Sequence, residues 1–273
     1  MRIARILLLL FPLVASMARA ECSADRSDSR PHLVELYTSE GCSSCPPADD
    51  WLRRLPTGAG VVALAFHVDY WDSLGWRDRF ADPRYSKRQQ AQATFDGASG
   101  VYTPQIVLDG HAWSGWYRAG QAMALADPVT GSGASMRLNA DLPSQTGAPL
   151  RVRLHTEFAH HGDTNYRNYI ALTEDGLSTQ VRAGENRGVL LHHDHVVRSL
   201  ARPAGAGECR RGDCVAARSR HRPFVIGRVR TTHERRRDRA SRLVAAGAVP
   251  LALAPRHGLP TGSGSSARCR PRA

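Results

Sequence analysis

The stretch Glu40-Gly-Cys42-Ser-Ser-Cys45-Pro-Pro47 decides the fold, because it separates two segments of different periodicity. Before it, His32-Leu-Val-Glu-Leu-Tyr37 alternates and is rich in strand formers, which predicts a strand. After it, Pro47-Ala-Asp-Asp-Trp-Leu-Arg-Arg-Leu55 has acidic residues in its first turn and basic residues in its last, which favours a helix. The sequence therefore predicts a strand that turns into a helix at two cysteines.

A second apolar run completes a larger unit. Val61-Val-Ala-Leu-Ala-Phe-His-Val68 is almost unbroken, which is typical of a strand buried on both faces of a parallel sheet. Strand, helix and buried strand form a βαβ unit and predict the α/β class. Gln105-Ile-Val-Leu108 is a further predicted strand, and a polar insert at residues 70–97 precedes it, with helical character at residues 85–95.

Aromatic residues punctuate this insert, and two interpretations of them are open. Trp71, Trp76, Phe80 and Tyr85 could cover a hydrophobic substrate groove, or they could pack against the core of the domain itself. Packing against the core is the interpretation we favour.

The two cysteines carry the chemistry that the sequence indicates. With two residues between them, Cys42 and Cys45 can close a disulfide reversibly, and a helix N-terminus favours the thiolate form of the first. Cys42 is then the attacking thiolate, and Cys45 resolves the mixed disulfide. A Cys-x-x-Cys motif beside a βαβ pattern is typical of thiol redox proteins.

Two other interpretations of the cysteines stay open. Cys42 and Cys45 could form a static disulfide, or they could be half of a zinc site that needs two further ligands. The histidine candidates before residue 200 are His67, His111 and the run at residues 192–195. Packed or solvated histidines are commoner than ligands, so we expect no metal and no cofactor.

A proline supports the redox interpretation. Thr103 and Pro104 precede the strand at residues 105–108, at an entrance where no ladder N–H is needed. If this peptide bond is cis, the backbone of Thr103 is free to pair with an extended polypeptide lying against the cysteines. Thr103 and Pro104 are therefore the predicted substrate-binding residues.

Together, residues 33–45, 61–69 and 100–105 resemble the thioredoxin superfamily, and residues 33–194 more closely resemble a secreted family known as domain of unknown function 1223. The resemblance implies a thioredoxin-like fold with Cys42 and Cys45 as the redox pair and Pro104 in the cis-proline position. Pro46 and Pro47 depart from thioredoxins, so Cys42 is expected one turn before the helix.

The two ends of the chain differ from its middle. Residues 1–20 have a basic start, an apolar centre and an Ala-x-Ala end, which predicts a cleaved signal peptide and a periplasmic or secreted protein, with no stable membrane span. Residues 201–273 hold 17 arginines against four acids, so the net charge of +12 and the pI of 10.2 give no ground for a nucleic-acid partner.

The predicted organisation is a signal peptide (residues 1–20), a thioredoxin-like domain (21–130), a small C-terminal β-rich extension (131–200) and an arginine-rich, disordered tail (201–273). Because Arg, Ala, Gly and Pro are residues of GC-rich codons, we interpret this tail as the product of a frameshift near residues 200–205.

The function expected from these residues is thiol–disulfide exchange through Cys42 and Cys45, with polypeptide thiols or disulfides as substrate and a redox partner protein. The alternatives are a non-catalytic binding module with a structural disulfide and a periplasmic zinc or copper carrier that uses the same thiols. Exchange requires that an incoming peptide can reach a sulfur and that Pro104 lies nearby. Burial of both sulfurs beyond the reach of a peptide, or a Pro104 far from them, would exclude exchange and leave only a scaffold.

Overall fold

The computed structural model describes residues 20–26, 29–55, 61–118, 129–130, 134–141, 151–158, 169–201, 221–226, 248–250 and 268–271. The helices are α1 (Pro46–Arg53) and α2 (Pro83–Asp96), with short 3-10 turns at Asp72–Leu74 and Gly115–Tyr117. The strands are β1 (Ala20–Arg26), β2 (Ser29–Arg30), β3 (His32–Thr38), β4 (Val61–His67), β5 (Gln105–Leu108), β6 (His111–Ala112), β7 (Val129–Thr130), β8 (Ala134–Asp141), β9 (Arg151–Phe158), β10 (Tyr169–Glu174), β11 (Leu177–Gln180), β12 (Leu190–His193), β13 (Val196–Ala201), β14 (His221–Ile226), β15 (Ala248–Pro250) and β16 (Arg268–Pro271).

Strands β3 and β4 lie parallel to each other inside a mixed sheet of eight strands. All seven residues of β4 are buried, as the apolar run predicts. Because side chains alternate along a strand, the two strands fill two cores, one on each face of the sheet. One core holds Leu33, Tyr37, Val62, Leu64 and Phe66, and the other holds Val34, Leu36, Ala63 and Ala65. The predicted βαβ unit is confirmed.

The two helices cover opposite faces of this sheet. Ala48 and Leu52 of α1 belong to the core of Val34 and Ala63. On the other face, Tyr85 of α2 packs edge to face against a phenylalanine of β4, with ring centroids 5.1 Å apart. Helix α1 therefore lies over one core and α2 over the other.

Helix α2 is the helix predicted in the second half of the insert, and its own sequence sets its ends. Asp82 caps it by accepting a hydrogen bond from the Arg84 N–H, and Pro83 stands at the first helical position. Gly97 ends it at a φ of 70°, a conformation that glycine adopts without steric cost.

The eight strands run in the order β15-β14-β10-β13-β4-β3-β5-β6. Strands β5 and β6 continue the sheet antiparallel on the β3 side. On the β4 side, β13 pairs parallel through Val196 opposite Ala65, and β10 follows antiparallel. The end of β3, where the cysteines follow, therefore lies near the middle of the sheet.

Strands predicted in residues 131–200 are present and are distributed over three sheets. Strands β8 and β9 form a separate sheet with β1 and β16, whereas β10 and β13 extend the eight-stranded sheet. Strands β11 and β12 form a two-stranded hairpin of their own. The segment that connects these two strands contacts the residues around the cysteines.

The ends of the chain are described only in part. Residues 1–19 lie outside the described residues, so the signal peptide stays a prediction. Within the arginine-rich tail, β14 pairs with β10 and β16 pairs with β1. The rest of the tail lies outside the described residues, and its frameshift origin stays a prediction. No helix in the described segments is long and apolar enough to cross a bilayer.

Candidate active site

The two cysteines lie where β3 turns into α1. Cys42 N–H donates to Ser39 O and Cys45 N–H donates to Cys42 O, each at 3.2 Å, so the chain reverses in two successive turns. A disulfide joins Cys42 to Cys45, whose Cα atoms are 5.4 Å apart. The predicted pairing is confirmed.

Helix α1 begins at Pro46, and Cys45 is its N-cap residue. Proline suits this position because its missing N–H is one that the helix leaves unpaired. Cys42 lies three residues earlier, outside the helix, as the two prolines predict. The positive end of the α1 dipole is therefore closer along the chain to Cys45 than to Cys42.

The peptide bond between Thr103 and Pro104 is cis, and Ser44 links the Thr103 carbonyl to the cysteine segment. Ser44 Oγ lies 3.4 Å from Cys42 Sγ and 3.5 Å from Thr103 O, so one hydroxyl touches both segments. The fold thus brings the Thr103–Pro104 segment to the cysteine segment, although Cys45 and Thr103 are 58 positions apart in the chain.

Residue Gln89 of α2 positions this proline loop. Its amide nitrogen donates to Tyr102 O and to Gln105 Oε1, both at 2.7 Å, and its amide oxygen accepts from Tyr70 Oη at 3.1 Å. Gln89 is fully buried. The sequence did not point to this glutamine. Its place in a predicted helix does not show that its amide contacts residues of the proline loop.

The aromatic insert serves both the core and the site. Tyr85 and Phe80 are buried, in line with core packing. The two partly buried tryptophans direct their indole N–H groups at the site: Trp71 Nε1 donates to Thr103 Oγ1, and Trp76 Nε1 donates to a Glu40 carboxylate oxygen, each at 2.8 Å. Tyr85 and Trp71 pack against the core, as the favoured interpretation has it, and whether these rings also border a substrate groove stays a prediction.

The segment between β11 and β12, residues 181–189, covers the cysteines. Asn186 Nδ2 donates to both Glu40 O and Cys42 O at 2.9 Å, and Ser43 N–H donates to Glu185 Oε2 at 3.0 Å. Both cysteines have no exposed surface. The requirement that a peptide can reach a sulfur is therefore not met in this conformation, in which residues 181–189 are bound to the backbone of Cys42 and Ser43.

Charged side chains are buried next to the site. His67 Nδ1 lies 2.6 Å from Asp78 Oδ2, and His193 Nε2 lies 3.3 Å from Glu40 Oε1. Burial disfavours the charged form of His67, but the adjacent Asp78 carboxylate outweighs it and raises the pKa of His67. Burial also opposes the Asp78 charge, but His67 and two backbone N–H groups lower the pKa of Asp78.

Asp49, on α1, borders the same group of charges. Its carboxylate accepts a hydrogen bond from Thr38 Oγ1 at 3.0 Å. Burial raises the pKa of Asp49 to about 6, against the opposing effect of His67 and His193. Asp49 is therefore partly protonated in mildly acidic solution, where an exposed aspartate is ionised.

The histidines considered as metal ligands have carboxylate neighbours. Besides His67 and His193, His195 Nδ1 lies 3.3 Å from Asp175, and the exposed His111 lies 3.7 Å from Asp96. Among the residues that the structure describes, no three His, Cys, Asp or Glu side chains are grouped so that they could hold a metal ion.

The fold and the site define a class of protein, one that combines a thioredoxin-like fold with a Cys-x-x-Cys disulfide and a cis-proline. The family model described as "Protein of unknown function (DUF1223)" matches residues 33–219, and the chain belongs to that family. No curated protein matches the chain.

Two solved structures are similar to the chain. Protein AGR_C_4864 from Agrobacterium tumefaciens is 23% identical with a TM-score of 0.56, and the match covers 87% of this chain and all of that one. HBP35 of Porphyromonas gingivalis is 12% identical with a TM-score of 0.54, over 87% of this chain and 81% of that one. At these identities the similarity shows the fold alone.

Proposed function

We propose that the protein carries out thiol–disulfide exchange on other polypeptides through Cys42 and Cys45. The observation that supports this most directly is that Ser44 Oγ, 3.4 Å from Cys42 Sγ, also lies 3.5 Å from the carbonyl oxygen of Thr103, which precedes the cis-proline. A static cross-link between residues three apart constrains little chain, because the stabilisation from a disulfide grows with the loop it closes. A purely structural role therefore explains less of the site than exchange does.

The reaction follows from the two sulfurs. In the reduced protein, the Cys42 thiolate attacks a substrate disulfide, forms a mixed disulfide and releases one substrate thiolate. The Cys45 thiolate then attacks the Cys42 sulfur, which releases the second substrate thiol and re-forms the Cys42–Cys45 bond. The substrate gains two electrons and two protons, and a partner dithiol protein must return the same number to the pair.

Backbone groups near the pair suit an extended substrate. Thr103 is held by Trp71 and by its proximity to Ser44, and we assign Thr103 and Pro104 the role of orienting the substrate chain. The adjacent Tyr102 is 54% exposed, and Val189 in the covering segment is 42% exposed.

The setting of this reaction is also a proposal. The leader-like start of the chain favours the periplasm or the exterior, where disulfide chemistry operates. The charge of residues 21–200, which is −4, gives no reason to propose a nucleic-acid partner.

Insulin reduction and refolding of scrambled ribonuclease, with the full chain, test the proposal. We expect Cys42→Ser to lose turnover in both assays, whereas Arg54→Gln, an exposed change at the far end of α1, keeps it. Equal turnover by the wild-type protein and Cys42→Ser would exclude exchange by this pair.

The complete burial of both cysteines favours a second candidate, a binding module with a structural disulfide. The reduction potential of the pair separates the two. Structural disulfides have potentials below about −300 mV, whereas catalytic pairs lie higher. A value well below that limit would support the binding module.

A further inference from the structure

The segment that covers the disulfide, residues 181–189, is called the capping loop here. It is closed at its base, because Val181 N–H donates to Val189 O at 3.0 Å and Gly188 N–H donates to Val181 O at 2.9 Å. Strand β12, which leaves the loop, packs against α1. The loop therefore reaches the cysteines as a preformed unit.

Asn186 makes the main attachment. Its single side-chain amide donates one proton to Glu40 O and the other to Cys42 O, on either side of Gly41. Asn186 is only 5% exposed. An amide is suited to this position, because a carboxylate of the same shape has no proton to donate to two carbonyls.

Glu185 makes a second attachment of a different kind. Its carboxylate accepts the N–H of Ser43, the residue directly after Cys42, and the Ser43 side chain together with this N–H lowers the pKa of Glu185. An N–H next to a nucleophilic cysteine can stabilise its thiolate, and a nearby negative charge opposes it. Glu185 therefore binds an N–H that could otherwise stabilise the Cys42 thiolate, and its own negative charge disfavours that thiolate.

The close packing of the loop indicates a specific fit. Gly184 has a φ of 72°, and a Cβ added there would lie 3.0 Å from Trp76 Cβ. Trp76 donates to the side-chain carboxylate of Glu40, and the main-chain carbonyl of the same residue accepts from Asn186. The loop thus contacts residues 40–43 through two side chains and the neighbouring Trp76 through the backbone at Gly184.

We propose that the capping loop is a latch that controls access to the redox pair, with Asn186 and Glu185 as the positioning residues that hold it closed. This inference rests on the proposed exchange function. In the closed form neither sulfur can be attacked, so the loop must leave residues 40–43 before a thiolate reaches the disulfide. Loss of either attachment should make the pair more reactive.

Reduction of the oxidised full-length protein by dithiothreitol tests the latch without a protein substrate. Each cycle oxidises the two thiols of the reductant to a cyclic disulfide and delivers two electrons and two protons to Cys42 and Cys45. Acid quenching, thiol alkylation and peptide mass spectrometry report the rate at this pair. For the wild-type protein we expect a rate that reaches a plateau with reductant concentration, set by loop opening.

Asn186→Asp keeps the shape of the side chain and removes both donors, and Asn186→Ala removes the side chain. We expect both variants to be reduced roughly tenfold faster or more, since two hydrogen bonds are lost, and Glu185→Gln by a smaller factor. Arg182→Gln, an exposed change in the same loop, is the control and should match the wild type. Unchanged rates in both folded Asn186 variants would overturn the latch.

Hydrogen–deuterium exchange of the wild-type protein keeps the test decisive if the variants do not fold. Residues 181–189 and 41–44 should exchange together and faster than β3 and β4. Protection of the loop equal to that of those strands would overturn the proposal. The two proposals can be rejected independently. If the variants are reduced faster but the protein does not turn over insulin, only the exchange function is rejected. If the protein turns over insulin but the reduction rates of the variants are unchanged, only the latch is rejected.

Discussion

Trp71 Nε1 donates a hydrogen bond of 2.8 Å to Thr103 Oγ1, and this bond joins the aromatic insert to the loop beside the disulfide. The two residues are 32 positions apart in the chain. The insert therefore contributes directly to the shape of the proposed substrate site, in addition to its packing against the sheet.

Replacing Trp71 by Phe keeps an aromatic ring and removes the indole N–H. We expect turnover of insulin to fall by a factor of about 2–10, the effect of one net hydrogen bond, because Thr103 is less well positioned. The rate of reduction by dithiothreitol should stay within twofold, about 0.4 kcal/mol, since that reagent does not use Thr103. Equal losses in the two assays would contradict a role confined to substrate positioning.

Removal of the Gln89 side chain should destabilise the protein. Gln89→Ala leaves Tyr102 O and Gln105 Oε1 without their buried donor, which costs about 1–3 kcal/mol of the free energy of unfolding. Urea denaturation measures the change. Gln90→Ala, on the exposed side of the same helix, is the matched control and should change stability by less than about 0.5 kcal/mol. Similar losses in both variants would show that Gln89 has no special role.

The buried pair of His67 and Asp78 should make the free energy of unfolding decrease at both high and low pH. The folded pKa of His67 is raised, so its contribution is complete below the ordinary value of 6.5 and is lost as the pH rises through the folded pKa. The folded pKa of Asp78 is lowered, so its contribution is present above 3.8 and is lost as the pH falls through the folded pKa.

Asp78→Asn therefore should cost most between about pH 4 and 6.5, by about 3–5 kcal/mol, because it leaves a buried imidazolium without its partner. Urea denaturation across this range measures the difference from the wild type. The exposed Asp50, paired with Arg53, supplies the control, and Asp50→Asn should cost about 0–1 kcal/mol at every pH. A loss in Asp78→Asn that is the same at pH 5 and pH 9 would argue against the charged pair.

Protonation of Asp49 should change the stability of the fold in the opposite direction to protonation of Asp78. Burial raises its pKa to about 6, so between about pH 4 and 6 the folded protein holds a proton that the unfolded chain releases. This group therefore stabilises the fold as the pH falls through that window. Asp49→Asn should be at least as stable as the wild type at pH 7.5 and should lose that advantage toward pH 4, as thermal unfolding at the two pH values can determine. An advantage that grows toward pH 4 would contradict the raised pKa.

The core of the fold could be predicted because its signals are local. The alternation in β3 and the apolar run of β4 each report burial within seven residues, and two cysteines and a proline carry their chemistry in their own side chains. Gln89 and Asn186 could not be predicted. Each is an ordinary amide until the fold brings backbone carbonyls to it, and for Asn186 those carbonyls lie 144 and 146 positions away.

By itself, the sequence determined the βαβ unit, the disulfide pair and the residues expected to orient a substrate, because period, turn residues and thiol spacing act over short distances. Only the tertiary structure decided whether the sulfurs are exposed. Access depends on where the β11–β12 hairpin packs, and that packing comes from hydrogen bonds between segments far apart in the chain. The sequence therefore predicts a reactive cysteine pair, and the fold buries both sulfurs.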